Sequence, residues 1–314
     1  MDNKMTEAAK SPADVKLPPI EKALFLGCVI PARIPFVEKS AKVVCKDLNI
    51  NLRPMKGAAC CPDPIGIRGV SEKTWITLST RNVTIAEDMK AKDIMGLCSG
   101  CVLSLKHANH VMKHDAYMKA GVNEALATVN RSFKGTVETV RHFAHVLYEE
   151  IGMDKVKALV KKPLVGLKIA VHYGCHFIRP SELHQLDDPF FPTKLDEIVR
   201  ALGAESVEYT EKMLCCGTGV NMADPETAVK MNQRKYKSIQ QAGANCIMVV
   251  CPSCYQRLEN AQRDVKKTFG ETYEFPVFYL TDLVALAFGH KPDEISIKSH
   301  RPSPKTLLAS IGIE

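Results

Sequence analysis

No run of about 18 apolar residues occurs in this 314-residue chain, so no segment is expected to cross a bilayer as a helix. The opening stretch, "MDNKMTEAAKSPADVKLPP", lacks the apolar core of a secretory signal and reads as a flexible tail over residues 1–20. A cytoplasmic protein is the expectation. No basic run with interleaved aromatics is present, which weighs against nucleic acid. The net charge of +7 is mild and fits an anionic small ligand, a cluster or an acidic partner. Ferredoxin-type cysteine spacing is also missing.

Cysteine itself is plentiful. Twelve occur in a chain with no secretory signal, where disulfides are not expected. Cys45 and Cys246 stand alone in apolar surroundings and read as small core hydrophobes. The other ten repeat. Cys28, Cys60, Cys61, Cys98 and Cys101 form one set: a cysteine, 31 residues, CC, 36 residues, CxxC. Cys175, Cys215, Cys216, Cys251 and Cys254 form the second: a cysteine, 39 residues, CC, 34 residues, CxxC. Equivalent positions are offset by 147, 155 and 153 residues, the signature of an internal duplication.

The context of each cysteine predicts the fold. "ALFLGC", "DIMGLC", "KIAVHYGC" and "CIMVVC" are short apolar runs that stop at a cysteine, as buried parallel strands do. "RIPFVEKSAKVVCKDL", "SEKTWITLSTRNVTIAEDMK" and "TKLDEIVRALGA" carry helical patterns. Strand–helix–strand units of thirty-odd residues predict an α/β protein of two Rossmann-like halves with parallel sheets, related by a pseudo-twofold. Ligands in such sheets sit beyond the strands' carboxyl ends, so two cysteine sites are expected there. "TDLVALAFG" reads as a last helix packed on the second half. The apolar end of the stretch after Lys291 is expected to dock on a partner or fray.

Zinc is the first competitor for the thiolates. All-cysteine zinc sites usually place about 15–20 residues between two CxxC pairs. Here 149 residues separate Cys101 from Cys251, and each set holds one thiol more than tetrahedral zinc needs. The spacing leaves open one zinc site beside one iron site. A catalytic CxxC redox pair would leave both CC pairs unexplained. Two equivalent iron–sulfur sites of low symmetry fit best.

The segments "FLGCVIPARIPFVEKS", "GAACCPDP", "TWITLSTRNVTIAEDM", "LCSGC", "HYGCHFIRPSE", "LCCGTGVN" and "CPSCYQRLE" carry a resemblance. The pattern is similar to the CCG cysteine-rich domain, and residues 23–290 resemble the B-subunit family of heterodisulfide reductases from methanogenic archaea. CCG domains also occur in lactate and glycolate oxidation complexes, glycerol phosphate dehydrogenases and sulfur-oxidising complexes. The resemblance implies a first CCG domain over 21–160, a second over 161–290 and a C-terminal extension over 291–314. It implies two noncubane [4Fe–4S] clusters, one held by Cys28, Cys60, Cys61, Cys98 and Cys101, the other by Cys175, Cys215, Cys216, Cys251 and Cys254. The implied substrate is the CoM-S-S-CoB disulfide, reduced between the clusters in the closing step of methanogenesis. The implied partners are a ferredoxin-like C subunit plus a flavoprotein A subunit, with hydrogenase or formate dehydrogenase as donor in bifurcating complexes.

One position departs from the pattern: Pro62, not glycine, follows the first CC. Proline offers no N–H, so an N–H···S bond available from Gly217 would be absent from the first site. The two sites would be unequal, which suits an asymmetric substrate. That substrate is anionic, so cationic groups near the cysteines are candidates to bind it: Arg33, His172, His176 and Arg179. Each also has an ordinary structural reading, as a solvated or capping residue. His172 and His176 flank Cys175 and are placed to donate to cluster sulfur. His107, His110 and His114 share a helix face that reads as solvated rather than metal-binding. Three functions remain in competition: a disulfide-reducing catalytic subunit, an electron relay without bond chemistry, and a reductase for a different thiol pair. Two complete five-cysteine sets favour bond chemistry, since a relay can tolerate one.

Overall fold

A computed structural model of the protein describes residues 17–314. Most of the expected N-terminal tail lies outside these residues, and Ile20 already opens the first strand. Eight strands form two sheets. β1 (Ile20–Phe25), β2 (Ile50–Pro54), β3 (Asp93–Gly96) and β4 (Thr139–His142) make the first. β5 (Lys168–His172), β6 (Glu205–Val207), β7 (Cys246–Val249) and β8 (Val277–Tyr279) make the second. The order is β2-β1-β3-β4 in one and β6-β5-β7-β8 in the other, and every pairing is parallel. The same order twice is the duplication seen in the cysteines. Strands such as β7 (CIMV) and β8 (VFY) are buried throughout, which is why they read as unbroken apolar runs.

In each sheet the chain leaves the first strand towards one edge and returns on its other side. That reversal opens a crevice between β1 and β3, and between β5 and β7. The register fixes which residues face each other there. Phe25 pairs with Gly96, and His172 with Val249. The long helices after the CC loops are started alike. Ser71 accepts from Thr74 N–H at 3.2 Å to cap helix Glu72–Asp88, and Asp224 accepts from Thr227 N–H at 3.0 Å to cap helix Pro225–Gln241.

The two halves share a core. The larger apolar cluster runs from Leu24, Val37 and Val44 of the first half to Tyr255, Leu283 and Leu286 of the second. Helix Leu280–Ala287 corrects the expectation for the last helix. It is buried along its whole length and packs on helix Phe36–Asp47 of the first half, with Ser40 and Thr281 hydroxyls 2.7 Å apart. A helix buried on every face needs cover on every side, and helix Phe36–Asp47 supplies part of it beside β8. The closing residues also differ from expectation. Leu308 and Ile313 are buried in the chain's own core rather than left for a partner. Tyr279, at the end of β8, donates its hydroxyl to Leu97 O beside the first cysteine set and so ties the sheets together at their carboxyl ends. Cys45 and Cys246 are fully buried, and burial pushes the Cys45 thiol up to about 12, out of reach of ionisation.

Candidate metal centre

The single cysteines and the CxxC pairs follow strand ends. β1 ends at Phe25, and Leu26 and Gly27 lead to Cys28; β5 ends at His172, and Tyr173 and Gly174 lead to Cys175. Both glycines lie in the left-handed region, at φ +67° and +73°. A Cβ on Gly27 would stand 2.6 Å from Cys101 Sγ, and one on Gly174 would stand 3.4 Å from Cys254 Sγ. Glycine is needed there because the chain turns directly against the last thiol of its own CxxC. β3 and β7 lead into the N-termini of helices Ser99–His114 and Pro252–Phe269, with Cys98 and Cys251 at the cap positions. Cys101 N–H donates to Cys98 Sγ at 3.4 Å. Helix N-termini favour thiolate over thiol, but at Cys98 the downward pull of Cys101 is outweighed by the neighbouring Cys251 and burial, which push its thiol well above the usual range.

The CC loops are held from behind by one asparagine each. Asn82 Nδ2 donates to Cys60 O at 3.0 Å while its Oδ1 accepts from Ala59 N–H at 2.9 Å. Asn232 Nδ2 donates to Cys216 O at 2.8 Å while its Oδ1 accepts from Arg257 Nε at 2.8 Å. Trp75 Nε1 and Ser104 Oγ both donate to Pro62 O, at 3.3 and 2.9 Å. Proline's carbonyl is thus fully used although its N–H is missing. In the second loop Gly217, at φ +84°, donates its N–H to Cys215 Sγ at 3.4 Å.

All ten repeated cysteines line one cleft of about 360 Å³ at the carboxyl ends of both sheets. The two sets face each other in it, and Cys98 and Cys251 meet across the boundary between the halves. Every cysteine is a free thiol. One thiol in each close group is drawn towards the thiolate: Cys61 by hydrogen bonds from Cys101 and Cys60, Cys215 from Cys175 and Cys216, and Cys251 from Cys254 and Cys98. Cys60, Cys175 and Cys254 are pushed up by such pairings. The remaining wall is mainly apolar, from Leu26, Val29, Ile65 and Met222, with Ser99, Ser253 and Thr218 between.

The candidate substrate residues separate. His176 lines the cleft. His172 is buried behind the second set, its ring nitrogens without a partner, within 4.8 Å of the Cys216 and Cys254 thiols. That trio is the only three-ligand cluster of its kind among the described residues, and it belongs to the cysteine site. Arg33 lies in a separate groove with Phe36, Lys39 and Tyr255. Arg179 turns outward, donating to Pro189 O at 2.9 Å with its guanidinium 5.9 Å from the centre of the Phe190 ring. Neither arginine side chain lines the cysteine cleft. His107 packs on Trp75 at 4.9 Å between ring centres, and His110 and His114 stack at 4.3 Å. Sequence reasoning missed Asn82, Asn232 and the fully buried Lys235. A polar, helix-averse asparagine inside a helical pattern was the one available signal. It also missed a buried histidine group, His142, His145 and His184, in which His145 and His184 have no hydrogen-bond partner for their rings.

Ten free thiols converging on one cleft, six at helix N-termini and four on the CC loops, fit iron–sulfur ligation, and in each half the five are enough for a cluster. The sequence matches the Cysteine-rich domain (CCG) family over residues 22–106 and 169–259. It is 39% identical over 291 residues to the B subunit of the ferredoxin/F(420)H(2)-dependent CoB-CoM heterodisulfide reductase of Methanosarcina acetivorans, covering 92% of this chain and 96% of that one. It is 35% identical to a protein of Archaeoglobus profundus described as like the heterodisulfide reductase B subunit, over 88% and 93% of the two chains. It is 32% identical to the 8-methylmenaquinol:fumarate reductase membrane anchor subunit of Wolinella succinogenes, over 88% and 95%. Among the described residues of this chain, no helix is long and apolar enough to cross a membrane. The fold is shared with a hypothetical protein from Helicobacter pylori, at a TM-score of 0.68 and 15% identity over 90% of this chain, which spans about half (52%) of that one. With two cysteine-rich repeats on two parallel sheets and this identity along nearly its whole length, the chain belongs to the CCG cysteine-rich family of heterodisulfide reductase B subunits, which are iron–sulfur oxidoreductases.

Proposed function

We propose that the chain is the catalytic B subunit of a CoB–CoM heterodisulfide reductase and cleaves the mixed CoM-S-S-CoB disulfide to its two thiols. The observation that carries this reading is the meeting of two complete five-cysteine sets in one cleft. An electron relay needs its centres in line, not mouth to mouth around a space. A space between two sets suits a bond with one sulfur for each. The reaction is R–S–S–R′ with two electrons and two protons giving R–SH and R′–SH.

We assign Cys28, Cys60, Cys61, Cys98 and Cys101 to one noncubane [4Fe–4S] cluster, and Cys175, Cys215, Cys216, Cys251 and Cys254 to another. When bound, such clusters supply single electrons and iron sites for sulfur. The chain's own contribution is orientation. The asparagine-held CC loops and the helix caps fix the thiols before any ligand arrives, which limits the entropy lost on assembly. Leu26, Val29, Ile65 and Met222 give the cleft an apolar wall that suits thiol chains. His176 lies on that wall where a leaving thiolate would need a proton or a countercharge. In this reading the anionic ends of the substrate find their partners beyond Arg33 and Arg179. Electrons come from a multi-subunit assembly with a ferredoxin-like C subunit plus a flavoprotein A subunit, supplied by hydrogenase or formate dehydrogenase.

The test is anaerobic oxidation of a reduced viologen by the mixed disulfide and by each symmetrical disulfide, on protein checked for iron content. Turnover with the mixed disulfide alone is the expected result. No turnover with any disulfide, iron complete, overturns the reductase reading in favour of electron relay.

A further inference from the structure

The two cysteine sets are alike in outline and unlike in what stands behind them. Aligning "ALFLGC" with "AVHYGC" puts Phe25 opposite His172. The structure places them equivalently. A Cβ on Gly27 would meet Cys101 Sγ and then the Phe25 ring at 3.8 Å; one on Gly174 would meet Cys254 Sγ and then His172 Nε2 at 3.9 Å. One set is therefore backed by a hydrocarbon ring and the other by an imidazole. His172 is 1% exposed, and neither ring nitrogen has a partner within the chain. The ring lies within 4.8 Å of the Cys216 and Cys254 thiols, and an imidazole in either protonation state keeps at least one N–H to give. A buried N–H donor with nothing to bind is costly unless a ligand takes it up.

A second difference lies on the same side. Lys235 is fully buried on helix Pro225–Gln241, its ammonium donating to Glu211 O at 2.5 Å and lying 5.3 Å from the centre of the Tyr209 ring. Burial pulls its pKa down to about 8, while Cys216, Cys254, Glu211 and Cys215 favour its charged form, so below that pH it is a cation behind the second set. At the first set the charge acting on Cys61 is instead the carboxylate of Asp63, on the cleft wall. The backbone adds to the contrast, with Gly217 N–H on Cys215 Sγ in one loop and Pro62 in the other.

We propose that His172 and Lys235 make the second cysteine set the more readily reduced of the two, so that an electron entering this chain settles there first. An added electron is negative charge in a poorly screened interior. Hydrogen bonds to sulfur and a nearby cation stabilise the reduced form, whereas a phenyl ring and a carboxylate do not. His172 and Lys235 are tuning residues and touch no substrate. The proposal rests on the reading that both sets hold iron–sulfur clusters.

The experiment uses full-length protein, anaerobic, with iron counted before an EPR-monitored redox titration. Three variants are compared: His172→Phe, which installs the residue the other half already tolerates, the reciprocal Phe25→His, and Lys235→Met. His172→Phe and Lys235→Met should each lower the same midpoint, by a tenfold or greater change in the reduction equilibrium, about 59 mV for a one-electron couple. Phe25→His should raise the other midpoint. Iron-complete His172→Phe and Lys235→Met with both midpoints unmoved overturn the proposal. If either loses iron, Phe25→His decides alone, and an unmoved pair of midpoints there is equally fatal. Wild-type protein with iron at one set only overturns the two-cluster reading and the proposal together, and the iron count shows it before titration. Disulfide turnover plays no part, so failure of the reductase reading is scored separately.

Discussion

Replacing Asn232 by leucine tests whether the second CC loop is held by its asparagine. The two side chains are close in volume, so the substitution removes hydrogen bonds without opening a large cavity. It strips Cys216 O of its 2.8 Å donor and Arg257 Nε of its 2.8 Å acceptor, both inside the protein. Leaving a buried group unpaired costs about 1–3 kcal/mol, with charged groups at the upper end. Arg257 keeps Asp264 at 3.0 Å through Nη1, which limits its share. A loss of about 3 kcal/mol follows. At about 2.1 cal/mol/K of unfolding entropy per residue, each kcal/mol lowers the Tm of this 314-residue chain by about 1.5 °C, so a fall of about 4–5 °C is expected by anaerobic calorimetry. On the proposed two-cluster reading, the loosened loop should also cost the cluster of the second set, leaving about half of the wild-type iron. Asn82→Leu, which frees Ala59 N–H and Cys60 O, should deplete the first cluster instead. A Tm within about 2 °C of wild type with full iron would refute the reasoning, since it would mean the loop needs no support from its helix.

Two further outcomes follow from the geometry. Gly27→Ala should lose its cluster more completely than Gly174→Ala, because the added methyl meets Cys101 Sγ at 2.6 Å in one case and Cys254 Sγ at 3.4 Å in the other, with both glycines at positive φ; iron per chain reads the difference, and equal loss would show that backbone strain, not contact, decides. Stability should fall in mild acid. Burial holds His184 at about 3 and His145 also well below the usual 6.5, while His300, at about 4, faces Asp282, whose carboxyl burial raises to about 7 so that this pair largely cancels. Above about pH 6.5 these rings are neutral in both states and contribute no pH dependence. Between about 6.5 and 4 the unfolded chain binds protons that the folded chain refuses, so stability drops as pH falls, by up to about 1.4 kcal/mol per pH unit for each of His184 and His145. Denaturant unfolding at about pH 7.5, 6 and 5 measures the slope; a flat profile across that range contradicts the burial argument, and His184→Phe should reduce the slope.

Much of the architecture is legible in the sequence. The repeated order of single cysteine, CC and CxxC reveals the duplication, and the apolar runs ending at Cys28, Cys98, Cys175 and Cys251 place the thiols at strand ends. Both are local properties. A buried parallel strand must be apolar along its length, and a thiol just past its end must emerge where the crossover helix begins. Pro62 and Gly217 can likewise be compared by eye, because the presence or absence of an N–H is written in the residue name. Direction in space is not legible. Arg33 and Arg179 are near cysteines in sequence, yet the short helix Val29–Arg33 and the turn after helix Cys175–Ile178 carry them out of the cleft. His172 and His176 flank one cysteine and end on opposite sides of it, one behind the thiols and one before them.

Covalent spacing and side-chain periodicity need no knowledge of packing, and they are enough to establish two five-thiol sets on two parallel α/β repeats. That the sets open into a single cleft, and that His172 and Lys235 back one while Phe25 backs the other, is a matter of three-dimensional packing. The backing residues are set by packing within each half, and the shared cleft by how one half is docked against the other through the common core, helix Leu280–Ala287 and the Tyr279–Leu97 contact. Docking is fixed by the sum of many weak contacts between residues far apart in the chain, and no local pattern encodes that sum.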